Sequence, residues 1–108
     1  MAGRRGPRRG SESTRRENDE SRLLRQMSVP TEVHLRRMRV RAALDKLDRY
    51  LNDATVAGLP WVRVIHGKGT GTLKAAVIEH LSSHSLVTRH HPAPPSEGGG
   101  GATIAVLE

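Results

Sequence analysis

The chain has 108 residues, a formal net charge of +7 and no cysteine. Its length allows one small domain with a tail, and the lack of cysteine excludes disulfide frameworks, thiol catalysis and cysteine-based zinc sites. The positive charge favours nucleic acid or an anionic membrane surface over an acidic protein as partner. No apolar run approaches the length of a membrane span or a secretory signal, so we expect a cytoplasmic protein that does not enter a membrane.

Residues 1–30 are predicted to form a disordered basic tail. They are rich in arginine, serine and acidic residues, and such a composition buries too little apolar surface to offset the entropy of ordering. Leu23, Leu24 and Met27 provide the only apolar cluster in the tail, and they could close a short helical turn against the domain. The arginines fit either a solvated tail or an arm that adds non-specific phosphate contacts.

The first half of the domain predicts a strand, a helix and a second strand. The strand lies at residues 33–35, and apolar residues then recur at helical spacing from Val40 to about Ala57. Gly58 is suited to a left-handed position after the helix, and Pro60 prevents the helix from continuing. The apolar run at residues 61–65 predicts the second strand.

The second half predicts a helix followed by two strands. Thr72 is a suitable N-cap for a helix that ends near His84. Strands are expected at residues 86–91 and 102–107, and a Pro- and Gly-rich loop, long enough to be functional or disordered, joins them. The order strand, helix, strand, helix, strand, strand predicts an α/β fold, a two-layer sandwich in which two helices pack on a four-stranded mixed sheet.

A glycine-rich turn that follows the second strand is the strongest functional signal. It reads His66-Gly67-Lys68-Gly69-Thr70-Gly71, and alternate glycines allow close approach of the backbone to an anion at the start of a helix. The pattern is neither a Walker A motif nor the Gly-x-Gly-x-x-Gly dinucleotide fingerprint. We therefore expect a polynucleotide backbone as the anion, and a small-anion or nucleotide enzyme is the weaker alternative.

Taken together, three segments make the chain resemble the Smr (small MutS-related) domain family over about residues 31–108. They are VRVIHGKGTGTLKAAV, the downstream EGGGGATIAVLE and the preceding ALDKLDRYLNDATVAGLP. The similarity is greatest to the C-terminal copy in the bacterial MutS paralogue associated with recombination suppression and ribosome rescue. The resemblance implies a fold similar to the C-terminal domain of translation initiation factor three, binding of DNA or RNA, and in several members nicking endonuclease activity in DNA repair.

One family motif, normally Leu-Asp-Leu-Arg/His-Gly, departs from the pattern here. The matching residues are 33–37, in which His34 stands at the position of the usual aspartate and Arg37 at that of the usual glycine. The motif's arginine is present as Arg36. The aspartate is often assigned a catalytic role in the family, so its replacement leaves two alternatives: a phosphodiester endonuclease or a non-catalytic module that binds nucleic acid or the ribosome.

The candidate site residues divide by role. His66 as acid or base, Lys68 as transition-state cation and His34 at the aspartate position are the catalytic candidates, unless the loop only binds phosphate. Glu97 could replace the missing carboxylate or be simply solvated. The nucleic-acid-binding candidates are Arg36, Arg37, Arg39, Gly67, Lys68, Gly69, Thr70, Gly71, Glu97, Gly98 and Gly99. Arg41 belongs to the same arginine cluster, which could equally be a solvated helix start.

Two further observations limit the chemistry. His34, one of His90 and His91, and His66 could line a metal site, although scattered surface histidines are the default and no metal ligand is assigned. No cofactor is assigned, and Mg²⁺ or Mn²⁺ is the divalent ion to test if the chain is a nuclease. Only Trp61 and Tyr50 are aromatic, so recognition is expected to run through the phosphate backbone rather than through base stacking.

Overall fold

The computed structural model describes residues 29–108. The disordered tail predicted for residues 1–30, and the short helical turn within it, therefore lie outside the described residues except for the last two. Val29 packs against the main core, and the Pro30 carbonyl accepts a hydrogen bond from the Tyr50 hydroxyl. The part of the chain that contacts the core thus begins at least two residues before the predicted boundary.

The architecture is the predicted two-layer α/β sandwich. Along the chain the elements are β1 (Glu32–His34), α1 (Val40–Val56), β2 (Trp61–Ile65), α2 (Thr72–Ser83), β3 (Arg89–Pro92) and β4 (Ala102–Val106). The sheet order is β1-β2-β4-β3, with β1 parallel to β2 and the other pairs antiparallel. The mixed sheet and the two helices confirm the expected fold class.

The helices pack on one face of the sheet because each has an apolar stripe at helical spacing. Ala43, Leu47, Leu51 and Ala54 of α1 are fully buried. The residues that form this main core are Val33, Leu35, Ala43, Leu47, Leu51, Ala54, Val62, Val64, Val77, Leu81 and Ala105. A second, smaller cluster of Ala93, Ala102, Ile104 and Val106 lies apart from the main core, with Ile65 packed against it. The alternation of side chains along β2 and β4 divides the two clusters between the faces of the sheet.

The starts of α2 and β3 differ from the sequence prediction. Thr72 is the first residue of α2 rather than its N-cap; Gly71 occupies the cap position with φ 88° and no side chain caps the helix. Strand β3 begins at Arg89 rather than at residue 86, because the Val87 amide bonds the His84 carbonyl in a turn. The Pro- and Gly-rich loop is folded, with 3₁₀ turns at Pro95–Glu97 and Gly99–Gly101.

No helix in residues 29–108 is both long enough and apolar enough to cross a membrane.

Candidate nucleic-acid interface

An open cleft of about 850 Å³ lies where the parallel strands β1 and β2 end. In α/β folds this edge, at the carboxyl ends of the strands, is where ligands usually bind. The sequence-predicted residues that line the cleft are His34, Arg36, Arg37, His66, Gly67, Lys68, Gly69, Thr70, Gly71, Glu97 and Gly98. The fold therefore brings together residues that the sequence separates by more than 60 positions.

His66 follows β2 directly and its ring points into the protein. The side chain is buried, Nδ1 lies 2.8 Å from the Gly67 carbonyl oxygen and Nε2 lies 2.9 Å from Thr103 Oγ1. A carbonyl only accepts, so Nδ1 donates, and the neutral ring accepts the Thr103 hydroxyl proton at Nε2. Burial lowers the pKa of His66, as does the charge of Lys74, although the bond to Gly67 opposes the shift. Both ring nitrogens are thus engaged within the protein.

The first residues of the loop are also held by the backbone of the neighbouring segment. The amides of His66 and Gly67 both donate to the Gly101 carbonyl, at 3.1 and 2.9 Å. A side chain on Gly101 would meet the backbone of Gly67 at 3.6 Å. The two glycine-rich segments therefore pack directly against each other, and each one positions the other.

The remaining loop amides are the donors that can face an anion. Within residues 29–108, the amides of Lys68, Gly69 and Thr70 have no backbone acceptor. The amides of Leu73 and Lys74 lie in the first turn of α2, where no intrahelical acceptor exists. The Gly67 and Gly71 amides, by contrast, already bond to carbonyls, so the amides that remain available to an anion lie toward the helix.

Four cationic side chains surround these amides. A Cβ on Gly100 would lie 3.5 Å from Lys68 Cε and 3.7 Å from Lys74 Nζ, so both lysines reach over the same glycine. Arg36 lies across Gly67, where a Cβ would come within 3.2 Å of Arg36 Cγ. Arg37 lines the same cleft. Among the described residues, none of these four side chains forms an ion pair with a carboxylate.

Arg37 is the only non-glycine residue in the described part of the chain with a positive φ, at 65°. The left-handed conformation costs a non-glycine residue about 1–2 kcal/mol. The family pattern has glycine at this position, and the backbone geometry gives the physical reason for that glycine. The chain therefore keeps an arginine in the cleft at the expense of local backbone strain.

The acidic side chains that line the cleft are paired with basic ones. Arg63 donates to Glu32 Oε1 at 2.5 Å from Nη2 and 3.2 Å from Nε, and it reaches Glu97 Oε1 at 3.4 Å. His34 Nε2 lies 2.9 Å from the other oxygen of Glu32. The hydrogen bonds from Arg63, and then from His34, hold the pKa of Glu32 below its usual value. Glu97 is therefore part of a charge network rather than an isolated solvated carboxylate.

Some predicted site residues do not join the cleft. Arg39 is the N-cap residue of α1, and neither Arg39 nor Arg41 lines the cleft. Gly99 is next to the cleft rather than in its wall.

The histidines of the suggested metal site do not converge. His90 contacts Ser82 Oγ at 3.0 Å, and His91 Nδ1 lies 3.1 Å from the Pro92 carbonyl oxygen. His34 is taken by Glu32, and both nitrogens of His66 are taken inside the protein. The default interpretation of scattered histidines fits these four positions.

The sequence interpretation missed four residues that shape the site. Lys74 was identifiable, because a helix that starts at Thr72 places Lys74 in the first turn beside the loop. Glu32, Arg63 and Thr103 carried no local signal, since their roles depend on which strands are neighbours in the sheet. No Phe, Tyr or Trp side chain lines the cleft in the described structure.

A protein-family model described as the Smr domain matches residues 33–108. Endonuclease MutS2 of Thermomicrobium roseum is 56% identical over 80 residues, which cover 74% of this chain and 10% of that protein. The Staphylococcus haemolyticus protein of the same name is 43% identical over 81 residues, or 75% of this chain and 10% of that protein. The chain thus spans about a tenth of the length of these relatives.

Solved structures lead to the same family. The crystal structure of the Smr domain of Thermus thermophilus MutS2 aligns with a TM-score of 0.70 and 42% identity, covering 72% of this chain and 98% of that one. YdaL, a stand-alone small MutS-related protein from Escherichia coli, aligns with a TM-score of 0.69 and 26% identity, covering 72% of this chain and 64% of that one. The chain belongs to the Smr domain family.

Proposed function

We propose that this chain binds nucleic acid through the phosphate backbone, with the cleft at the ends of β1 and β2 as its contact surface. The observation that carries the proposal is the convergence of Arg36, Arg37, Lys68 and Lys74, without carboxylate partners in the described structure, beside free loop amides. Cations and amides at a helix start match phosphate oxygens, which carry no base information. Binding is therefore expected to depend on charge and shape with little sequence preference.

Salt dependence tests this proposal directly. Four neutralised phosphates correspond to a log–log slope of about −3.6 on B-DNA, since each contributes about −0.9. Lys68→Ala and Lys74→Ala should each reduce the slope by about 0.9 and weaken binding about fivefold to tenfold at low salt. Arg49→Ala removes an exposed charge from α1 outside the cleft and serves as the control. Equal effects of all three substitutions would mean that the cleft is not the contact surface.

Phosphodiester nicking is the second candidate function. Curated relatives carry the name endonuclease, and two carboxylates, Glu32 and Glu97, line the same cleft as Lys68. Both nitrogens of the neutral His66 ring form hydrogen bonds within the protein. The ring is therefore better suited to holding the loop in place than to transferring a proton. Lys68 is then the candidate to stabilise charge on a phosphate, and the Glu32 carboxylate is the candidate to orient water.

The residues of the cleft do not favour a divalent metal ion, so a metal requirement for nicking has to be tested by experiment. Mg²⁺ and Mn²⁺ prefer carboxylate oxygens, but Arg63 and His34 already satisfy the oxygens of Glu32. A metal ion bound between the two carboxylates would compete with Arg63, which contacts Oε1 of both Glu32 and Glu97. No catalytic step is therefore assigned to a metal here.

Supercoiled plasmid and structured RNA, each incubated with and without Mg²⁺ or Mn²⁺, separate the two candidate functions. The nicking function predicts cleavage by the unaltered protein, and Lys68→Ala should lower it. His34→Asp restores the family carboxylate and should raise cleavage. If neither the unaltered protein nor His34→Asp cleaves either substrate while both still bind, the chain is a binding module. Ribosomes offer the same phosphate chemistry, and structured RNA that competes for ribosome binding would identify RNA as the feature recognised.

A further inference from the structure

Two histidines of α2 and one aspartate of α1 meet away from the cleft. His80 Nε2 lies 2.6 Å from Asp48 Oδ1, and His84 Nε2 lies 3.1 Å from the same oxygen. The two imidazole rings are arranged edge to face with centroids 5.6 Å apart. All three ligand atoms lie within 4.8 Å of one another, and this is the only group of its kind in residues 29–108.

We propose that Asp48, His80 and His84 form a binding site for a Zn²⁺-class transition-metal ion that ties α1 to α2. Two imidazole nitrogens and one carboxylate oxygen suit zinc and its neighbours, whereas Mg²⁺ and Ca²⁺ require oxygen ligands. Bonds of about 2.0–2.2 Å in a tetrahedral site place ligand atoms about 3.3 Å apart. The present separations reach that value with small side-chain shifts, and water would fill the fourth position.

A hydrogen bond to the ring of His84 would report metal binding. The Leu86 amide donates to His84 Nδ1 at 3.1 Å, so the neutral ring carries its proton on Nε2, the atom that faces Asp48. Metal binding at Nε2 moves the ring proton to Nδ1 and breaks the bond from Leu86. That loss lowers metal affinity by about threefold to tenfold, the effect of one ordinary hydrogen bond. The Leu86 amide therefore reports directly whether the His84 ring has become a ligand.

The site is separate from the cleft along the axis of α2. The helix begins at Thr72 beside the cleft, and His84 follows its last residue, about 18 Å away at 1.5 Å per residue. Asp48 is separated from His80 by 32 positions in sequence. A metal ion here would stabilise the packing of the two helices and leave nucleic-acid binding at the cleft unchanged.

Thermal unfolding of the full chain with added Zn²⁺, after removal of metals with a chelator, tests the site. At about a hundredfold excess over the dissociation constant, the midpoint should rise by about 10 °C or more. His80→Ala should abolish the rise, and Asp48→Asn should reduce it. His90→Ala removes a histidine outside the group and should retain it, and Mg²⁺ should give none. Absence of a Zn²⁺-dependent rise, or a rise that survives in His80→Ala, would overturn the proposal.

Amide NMR of the full chain provides a second readout that does not depend on a variant folding. The Leu86 amide signal should move as Zn²⁺ is added, in the same concentration range as the rise in midpoint. A Leu86 signal that stays in place while the midpoint rises would exclude His84 as a ligand and overturn the three-ligand site.

Discussion

Replacing Arg37 by glycine should raise stability and weaken nucleic-acid binding at the same time. The residue has φ 65°, and release of a left-handed non-glycine conformation returns about 1–2 kcal/mol. Glycine also gains freedom in the unfolded chain, which costs about 0.5–1 kcal/mol. The midpoints of these two ranges leave a net gain of about 0.75 kcal/mol, so the midpoint of thermal unfolding should rise by roughly 3–6 °C.

The binding loss arises from the charge and can be separated from the backbone effect. Removing one phosphate contact should reduce the log–log salt slope by about 0.9. Arg37→Asn removes the charge but tolerates the left-handed conformation better than arginine does. It should therefore lose as much binding as Arg37→Gly while gaining less stability.

Denaturant unfolding and fluorescence anisotropy on the same three proteins measure both quantities. A glycine variant less stable than the unaltered protein would refute the strained backbone at this position. Variants that both bind as tightly as the unaltered protein would remove Arg37 from the interface.

Further predictions concern the glycine-rich turn, pH and the tail. Gly98→Ala should destabilise the protein by about 1–3 kcal/mol, because φ is 117° and the new Cβ would lie 2.9 Å from the Ala102 Cβ. Gly99→Ala, which has open space around it at φ 52°, should cost less in the same denaturant titration. Stability should fall as pH drops through 6.5, since burial keeps the pKa of His66 below that ordinary value and the unfolded chain binds the extra proton; a His66→Gln variant should lack this component of the pH dependence. Deletion of residues 1–28 should weaken binding and reduce the salt slope while unfolding stays cooperative, and loss of cooperativity would contradict a disordered tail.

Local patterns were sufficient to predict most of the fold. Helix α1 and strand β2 were predicted nearly to the residue because their signals are local in sequence. These signals are the apolar stripe that includes Leu47 and Leu51 and the helix-ending residues Gly58 and Pro60. The predicted start of β3 was wrong because a turn replaces the first residues of the expected strand. This turn depends on a hydrogen bond from the Val87 amide to the His84 carbonyl, which strand propensities do not reveal.

The site was predictable only where its parts are contiguous. The spacing of the glycines in residues 66–71 identified the loop as a candidate site. The predicted order of strands and helices placed this loop at the end of β2. The partnership of His66 with Thr103 required the register of β2 against β4, and the network from Glu32 through Arg63 to Glu97 required the sheet order as well. His80 and His84 were not predicted as a site, and Asp48 joins them only through the packing of α1 against α2.

The hydrogen bonds from the His66 and Gly67 amides to the Gly101 carbonyl fix the start of the loop in the folded protein. Its ordering entropy is lost during folding, so a ligand does not have to supply it on association. A preorganised surface of this kind should distinguish nucleic acids by the shape of their backbone. If the loop binds phosphate as proposed, a backbone that already has a matching curvature should lose little freedom on binding, whereas a flexible strand must lose its own freedom to match. Rigid bends, junctions and structured RNA should therefore bind more tightly than unstructured single strands of equal charge.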